Sequence, residues 1–334
     1  MGFFKKDPLQ IIAFQSYGTD SHLYIRGRAL EDEQIDLADK GFFSLLTNSW
    51  KRFSTDELAH TRIKIKLSDG SIFYTETDDK GYFKLKETHK GLRDLTNDEG
   101  WLAVELSFDP LITNRVISND NRFPGEVAIP SENGMFGVIS DIDDTILHTG
   151  LTSALKWQVL KNTFLKRAEK RTPLEGAAEF YHQLHRGKSG IDANPVYYVS
   201  HSPWNLYRYL EYFLKKNNFP KGPLLLRNFS SPFRKKIQAE KPQKQTEIID
   251  ILNTYPKLPF ILIGDSGEHD PDIYIEIAEA FPDRILAIYL RSVRHKKKMI
   301  RVEGLTQDYN KVPVLLVEKS KQAIEHAREH GFIQ

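Results

Sequence analysis

The chain has no cysteine. Disulfides, thiolate metal sites and cysteine nucleophiles are therefore excluded, and the composition suits a reducing compartment. It also lacks any apolar run close to the ~18–20 residues needed to cross a bilayer. The first stretch, MGFFKKDPLQIIAFQSYG, has no apolar core of the secretory kind. Gly2 is not followed by Ser or Thr at position 6, which argues against myristoylation. The expectation is a cytoplasmic protein, and the Asn228-Phe229-Ser230 sequon is then disregarded. Neither sign of charge dominates, with 47 Lys and Arg against 45 Asp and Glu. Global charge thus gives no reason to expect a nucleic-acid partner. Internal repeats and low-complexity segments are missing as well.

What is present is enough apolar material, 40% of 334 residues, for more than one packed core. Between about residues 10 and 130, short alternating runs (HLYIRGRAL, RIKIKLSDG, SIFYTET, GYFKLKE, WLAVELSF) are separated by turn signals. In RIKIKL, Ile63, Ile65 and Leu67 fall on one face and Lys64 and Lys66 on the other. Ser68-Asp69-Gly70 and Asp78-Asp79-Lys80-Gly81 read as hairpin turns, and GFFSLLTNSWKRF as one helical interruption. The pattern predicts a smaller all-β, sandwich-like accessory domain over residues 1–130.

From about residue 135 the texture changes. Continuous apolar strands (GVIS, VYYVS, LLLRN, FILIGD, ILAIYLR, VPVLLVE) alternate with amphipathic stretches such as LEGAAEFYHQLH, PWNLYRYLEYFLKKN, KQTEIIDILNTY and PDIYIEIAEAF. That predicts an α/β domain over residues 131–334, with a parallel sheet covered on both faces. The boundary falls in the polar stretch of residues 119–134.

In an open α/β sheet the functional groups gather beyond the carboxyl ends of the strands. GVIS runs into Asp141-Ile142-Asp143-Asp144-Thr145, VYYVS ends at Ser200, and FILIG ends at Asp265 with Asp270 five residues on. Lys244 opens the helix before the Asp265 strand. A carboxylate can attack phosphorus once the phosphate charge is neutralised, and a divalent cation does this well. Mg2+ prefers a few carboxylates plus phosphate and water. Asp141 and Asp265 can supply those carboxylates, with the main-chain carbonyl of Asp143 as a third ligand. The Asp143 side chain is then free to protonate the leaving oxygen and later activate water. Ser200 can donate to phosphoryl oxygens and Lys244 can balance their charge. Taken singly, each acidic strand end also reads as a helix cap or a solvated loop.

Together, DIDDT, Ser200, Lys244 and GDSGEHD match in order the four motifs of haloacid-dehalogenase-superfamily phosphatases. The wider wording, GVISDIDDTI, YYVSHSPWNLY, LPFILIGDSGEHDPDIY and AIYLR, resembles the actin-patch-type phosphatidate phosphatase family over about residues 135–292. The resemblance implies a Rossmann-like sheet, Mg2+, an aspartyl-phosphate on Asp141, Asp143 as acid and base, and Asp265 as metal ligand. It also implies that Asp270 orders the metal's water shell and that Thr145 fixes the turn holding the two aspartates. His201 departs from the pattern, standing where a second small hydroxyl residue is expected. His148 and His269 have no essential task in such a mechanism.

Most of the intervals from Asp141 to Ser200 and from Ser200 to Lys244 are used by core elements, which leaves a shallow flap helix, TSALKWQVLKNTFLKRAEKR. It is basic, carrying Lys156, Lys161, Lys166, Arg167, Lys170 and Arg171. Arg234, Lys235 and Lys236 follow one strand end, and Arg291, Arg294, Lys296, Lys297 and Lys298 follow another. An open basic rim suits a phosphorylated substrate on an anionic surface, phosphatidate foremost, with peripheral membrane contact. Solvated loops are the plainer reading of each cluster. Trp204, Tyr207, Tyr209, Tyr212 and Phe213, at helical spacing, read mainly as core. The competing functions are a phosphatase for another exposed phosphate, on a nucleic-acid end, nucleotide or protein, and a non-catalytic binding protein.

Overall fold

The computed structural model of the chain describes residues 8–31, 57–109, 115–132, 134–142, 175–227, 242–266, 269–292, 296–306 and 309–334. It divides into two compact units, Met1–Ser131 and Glu132–Gln334. The predicted helix at 41–53 and the flap helix lie outside the described residues.

Among the described residues, seven strands build the first unit: β1 (Leu9–Gly18), β2 (His22–Glu31), β3 (Arg62–Leu67), β4 (Ile72–Glu76), β5 (Tyr82–Thr88), β6 (Trp101–Phe108) and β7 (Phe123–Ala128). They pair in the order β4-β3-β6-β7-β1-β2-β5. The β1–β7 ladder is parallel and the others antiparallel. As alternation requires, Ile63, Ile65 and Leu67 point inward and Lys66 outward.

The expected sandwich is corrected here. Alternation demands one buried face per strand, and one curled sheet meets that demand as well as two facing sheets do. Strands from every part of the sheet feed a single core cluster that includes Ile11, Ile25, Ile65, Leu85, Leu106 and Val127. The Ser68–Gly70 turn is a hairpin, joining β3 to its ladder partner β4. The Asp78–Gly81 turn also closes tightly, the Gly81 amide donating to the Asp78 carbonyl at 2.9 Å, but the strands it joins share no ladder. It joins β4 to β5, the two edge strands of the sheet. The Asp78 amide donates to the Tyr82 carbonyl at 2.7 Å, and Thr75 Oγ1 donates to the Lys84 carbonyl at 3.1 Å. The sheet thus curls until its edges meet. Gly81 is required at that turn: its φ is 72°, and a Cβ would stand 2.4 Å from the Ala29 carbonyl oxygen.

The second unit runs β8 (Gly137–Asp141), α1 (Ala177–Arg186), β9 (Val196–Pro203), α2 (Tyr207–Lys216), β10 (Leu224–Arg227), α3 (Gln243–Thr254), β11 (Phe260–Asp265), α4 (Asp270–Ala280), β12 (Ile285–Arg291), α5 (Lys296–Thr306), β13 (Val314–Val317) and α6 (Ser320–Glu329). The six strands of the described residues are all parallel, in the order β10-β9-β8-β11-β12-β13. Both β8 and β11 are buried along their whole length, which is why they read as unbroken apolar runs. The order reverses direction between β8 and β11, the point where an open doubly wound sheet leaves a crevice at its carboxyl edge. Of the aromatic set, Trp204, Tyr207, Tyr209 and Phe213 are buried, and Tyr212 alone is exposed. β9 extends three residues past the expected end at Ser200.

Candidate active site

The carboxyl ends of β8 and β11 bring Asp141 and Asp265 to the switch point. Ser140 pairs with Ile263 across the ladder, so Asp141 and Asp265 emerge at nearly the same height. Asp270 begins α4, with Pro271 behind it in the first turn, where a missing amide costs nothing and a carboxylate meets the positive helix end. Its Oδ2 accepts the Asp265 amide at 3.3 Å. This approach depends on Gly264, where a Cβ would lie 2.4 Å from Asp270 Oδ2 and 2.7 Å from the Tyr274 ring. Tyr274, on the next turn of α4, donates its hydroxyl to the Ile263 carbonyl at 3.0 Å and ties the helix to β11.

Lys244 enters from the first turn of α3. Gln243 Nε2 donates to the Leu226 carbonyl at 3.3 Å, and Gln245 Nε2 donates to Glu276 on α4 at 2.9 Å. Held from both sides, the lysine is fully buried. Its Nζ donates to Asp141 Oδ1 at 2.8 Å and also to Asp270 Oδ1. Burial opposes the ammonium charge, but the carboxylates of Asp141 and Asp270 outweigh it and hold Lys244 well above the ordinary lysine value. Burial, then Asp270, pushes the Tyr274 hydroxyl upward, so it stays a donor.

Carboxylate oxygens of Asp141, Asp265 and Asp270 lie within 4.8 Å of one another, and all three residues are buried. Among the described residues, the ionised carboxylates of this cluster outnumber the Lys244 ammonium that bonds two of them. Such an excess is costly unless a cation joins it. The all-oxygen donor set fits a hard divalent ion such as Mg2+ better than a soft one. The cluster can thus hold a dication against an anionic oxygen substrate.

Ser200 is buried on β9, one residue beyond Val199, the ladder partner of Asp141. Its Oγ accepts the Ser202 amide at 2.9 Å. Asp143, Thr145 and His148 lie outside the described residues, as do Arg234, Lys235, Lys236 and Arg294. His269 is exposed just before α4. Arg291 ends β12 as the ladder partner of Asp265, and burial draws its guanidinium below its ordinary value. Lys296, Lys297 and Lys298 fall in the first turn of α5.

Gly264 and Tyr274 escaped the sequence reading. The glycine closing an apolar strand before Asp265 was a usable signal, because such a position marks a close approach. Tyr274 gave none, being one apolar-face residue among several.

Residues 136–292 match the family described as "Phosphatidate phosphatase APP1, catalytic domain". Phosphatidate phosphatase APP1 of Saccharomyces cerevisiae is 33% identical over 273 residues, which is 81% of this chain and 42% of that protein. An uncharacterized protein of Schizosaccharomyces pombe is 28% identical over 274 residues, 81% of this chain and 41% of its own length. The chain therefore spans about two fifths of the length of these curated relatives. Among solved structures, Bacteroides thetaiotamicron EndoBT-3987 with Man5GlcNAc product aligns over 76% of this chain and 71% of its own, at 8% identity and a TM-score of 0.24. A superposition that loose carries no argument about fold.

Proposed function

Residues 136–292 of this chain belong to the family of the phosphatidate phosphatase APP1 catalytic domain, and from that membership we propose that the protein is a Mg2+-dependent phosphatase of phosphatidate, working through an aspartyl-phosphate on Asp141. The observation that carries the reading is the buried cluster of Asp141, Asp265 and Asp270 around Lys244 at the switch point of the parallel sheet. Motif order and sheet order together also favour a haloacid-dehalogenase type of domain.

Bound at Asp141, Asp265 and Asp270, Mg2+ would supply charge neutralisation for the phosphoryl oxygens. The chain's own groups do the rest. A carboxylate oxygen of Asp141 forms a bond to phosphorus as the bond from phosphorus to the glycerol oxygen breaks. Asp143 gives its proton to that departing oxygen, releasing diacylglycerol. Asp143 then takes a proton from water, whose oxygen bonds to phosphorus while the bond to Asp141 breaks, and inorganic phosphate leaves. Lys244, already charged, holds Asp141 in place, and Ser200 donates to a phosphoryl oxygen. Thr145 secures the turn that presents Asp141 and Asp143.

A lipid substrate is supported by the family and by the basic clusters that the sequence places after strand ends. No helix among the described residues is long and apolar enough to cross a membrane. The test is phosphate release from phosphatidate in mixed micelles with and without Mg2+, beside soluble phosphomonoesters. We expect Mg2+-dependent release from the lipid. Hydrolysis of soluble esters alone would overturn the lipid assignment, and turnover by Asp141→Asn would overturn the nucleophile.

A further inference from the structure

Strand β8 is apolar except at its end, yet the residue before Asp141 is a serine with no solvent exposure. On the sheet face opposite Lys244, the Ser140 Oγ lies 2.5 Å from the hydroxyl of Tyr181, a buried residue of α1. The same Oγ donates to the main-chain carbonyl of Asp141 at 2.7 Å. A serine hydroxyl has one hydrogen, so committing it to the Asp141 carbonyl leaves only the acceptor role towards Tyr181. Tyr181 must then be the donor, and burial pushes its hydroxyl upward, keeping the proton in place. The chain of donation has one direction: Tyr181 to Ser140 to the Asp141 carbonyl.

Tyr181 is a rigid anchor for that chain. Its ring stacks on Tyr198 at 6.4 Å with 8° between planes and meets Phe219 edge-on at 5.3 Å. The Tyr198 hydroxyl donates to the Pro220 carbonyl at 2.7 Å. Two hydroxyls buried in a sheet core cost desolvation that an apolar pair of the same shape would avoid. Their arrangement fixes the Asp141 peptide plane where β8 ends, and with it the direction of the Asp141 side chain on the other face.

We infer that Tyr181 and Ser140 are positioning residues, a two-hydroxyl strut that aims the Asp141 carboxylate from behind the sheet. The inference rests on the proposed role of Asp141 and extends it to residues that touch neither substrate nor metal. A reacting group displaced by about 1 Å loses on the order of 10^2-fold in rate.

The experiment uses the full chain and three variants: Tyr181→Phe, Ser140→Ala and the two combined. The double variant matters most, because removing both hydroxyls leaves neither of them orphaned, and the one loss is the Ser140 donor to the Asp141 carbonyl. We expect kcat on phosphatidate to fall at least about 10-fold in the double variant, with KM within twofold and the melting temperature close to the parent. Mg2+ alone, titrated by calorimetry without substrate, should bind several-fold more weakly, since Asp141 is one of the oxygens it would use. The two single variants should show non-additive losses. A folded double variant with unchanged kcat and unchanged Mg2+ affinity would overturn the strut. If the parent shows no Asp141-dependent turnover, the proposed function fails on its own, and the Mg2+ titration alone decides the strut, an unchanged affinity refuting it.

Discussion

The two units of this molecule bury charge in opposite ways. In the β unit, the described ionisable residues with little exposure are Arg28 and Glu31. Each is matched by an opposite charge, Arg28 by Glu57 at 2.8 Å and Glu31 by Arg115 at 2.5 Å, while the core itself is apolar. The α/β unit instead gathers Asp141, Lys244, Asp265 and Asp270 at one sheet edge, with an excess of carboxylate over ammonium. A pairwise-neutral arrangement has no use for an added ion. A surplus of buried carboxylates is a place that an added cation can join with a gain. The difference separates a unit whose buried charges are matched in ion pairs from one whose buried carboxylates could take up a cation.

The comparison can be broken most severely through catalysis. Asp141→Asn should lower phosphatidate hydrolysis by on the order of 10^4-fold or more. Exchanging a charged group of the β unit, Arg122 beside Glu105 (2.7 Å), should leave the rate unchanged in the same assay. Next comes stability. Lys244→Met removes the resident cation from between two buried carboxylates and should cost about 3–5 kcal/mol by denaturant melts. Mg2+ should restore part of that loss if the cluster binds it. Breaking the exposed Arg122–Glu105 pair should produce little measurable change.

A third pair of substitutions uses glycines. Gly264→Ala pushes a methyl against Asp270 and Tyr274 and should cost about 1–3 kcal/mol together with weaker Mg2+ binding. Gly70→Ala, in the β3–β4 hairpin, meets no atom within 4 Å but imposes its positive φ of 89° on an alanine. It should cost about 1 kcal/mol and leave activity intact. The smallest effect concerns pH. Burial and then the stacked ring of His330, 3.9 Å away, hold His326 below its ordinary value. The folded state therefore resists the proton that the unfolded state accepts. Stability should decline as pH falls below about 6.5, the unfolded histidine value. His326→Gln should flatten that part of the melting-temperature profile.

Much of the α/β unit was legible because its strands are buried on both faces and read as unbroken apolar runs. Four polar groups, read from separate stretches, converge: Lys244 bonds Asp141 and Asp270, and Asp265 stands within ligand distance of both. The curling of the β sheet was not legible. Alternation reports which face is buried, not what lies across from it, so Asp78–Gly81 looked like another hairpin. Ser140 and Tyr181 were invisible for a related reason. Their contact spans 41 residues and leaves no periodic trace, and within GVIS a serine looks like a simple end to a strand. Gly264 sat in plain view, but its meaning depends on where Asp270 returns.

The turn at Asp78–Gly81 has one more consequence. A β-sheet ordinarily carries two unpaired borders, each a template on which a foreign strand can assemble. Here the chain passes directly from one border strand to the other, and Thr75 and Lys84 bond across the seam. Near the turn, where the two lie against each other, a strand from another molecule would have to displace one to reach the other. The seam therefore acts as built-in protection against edge-to-edge aggregation, and Gly81 is the residue that permits it.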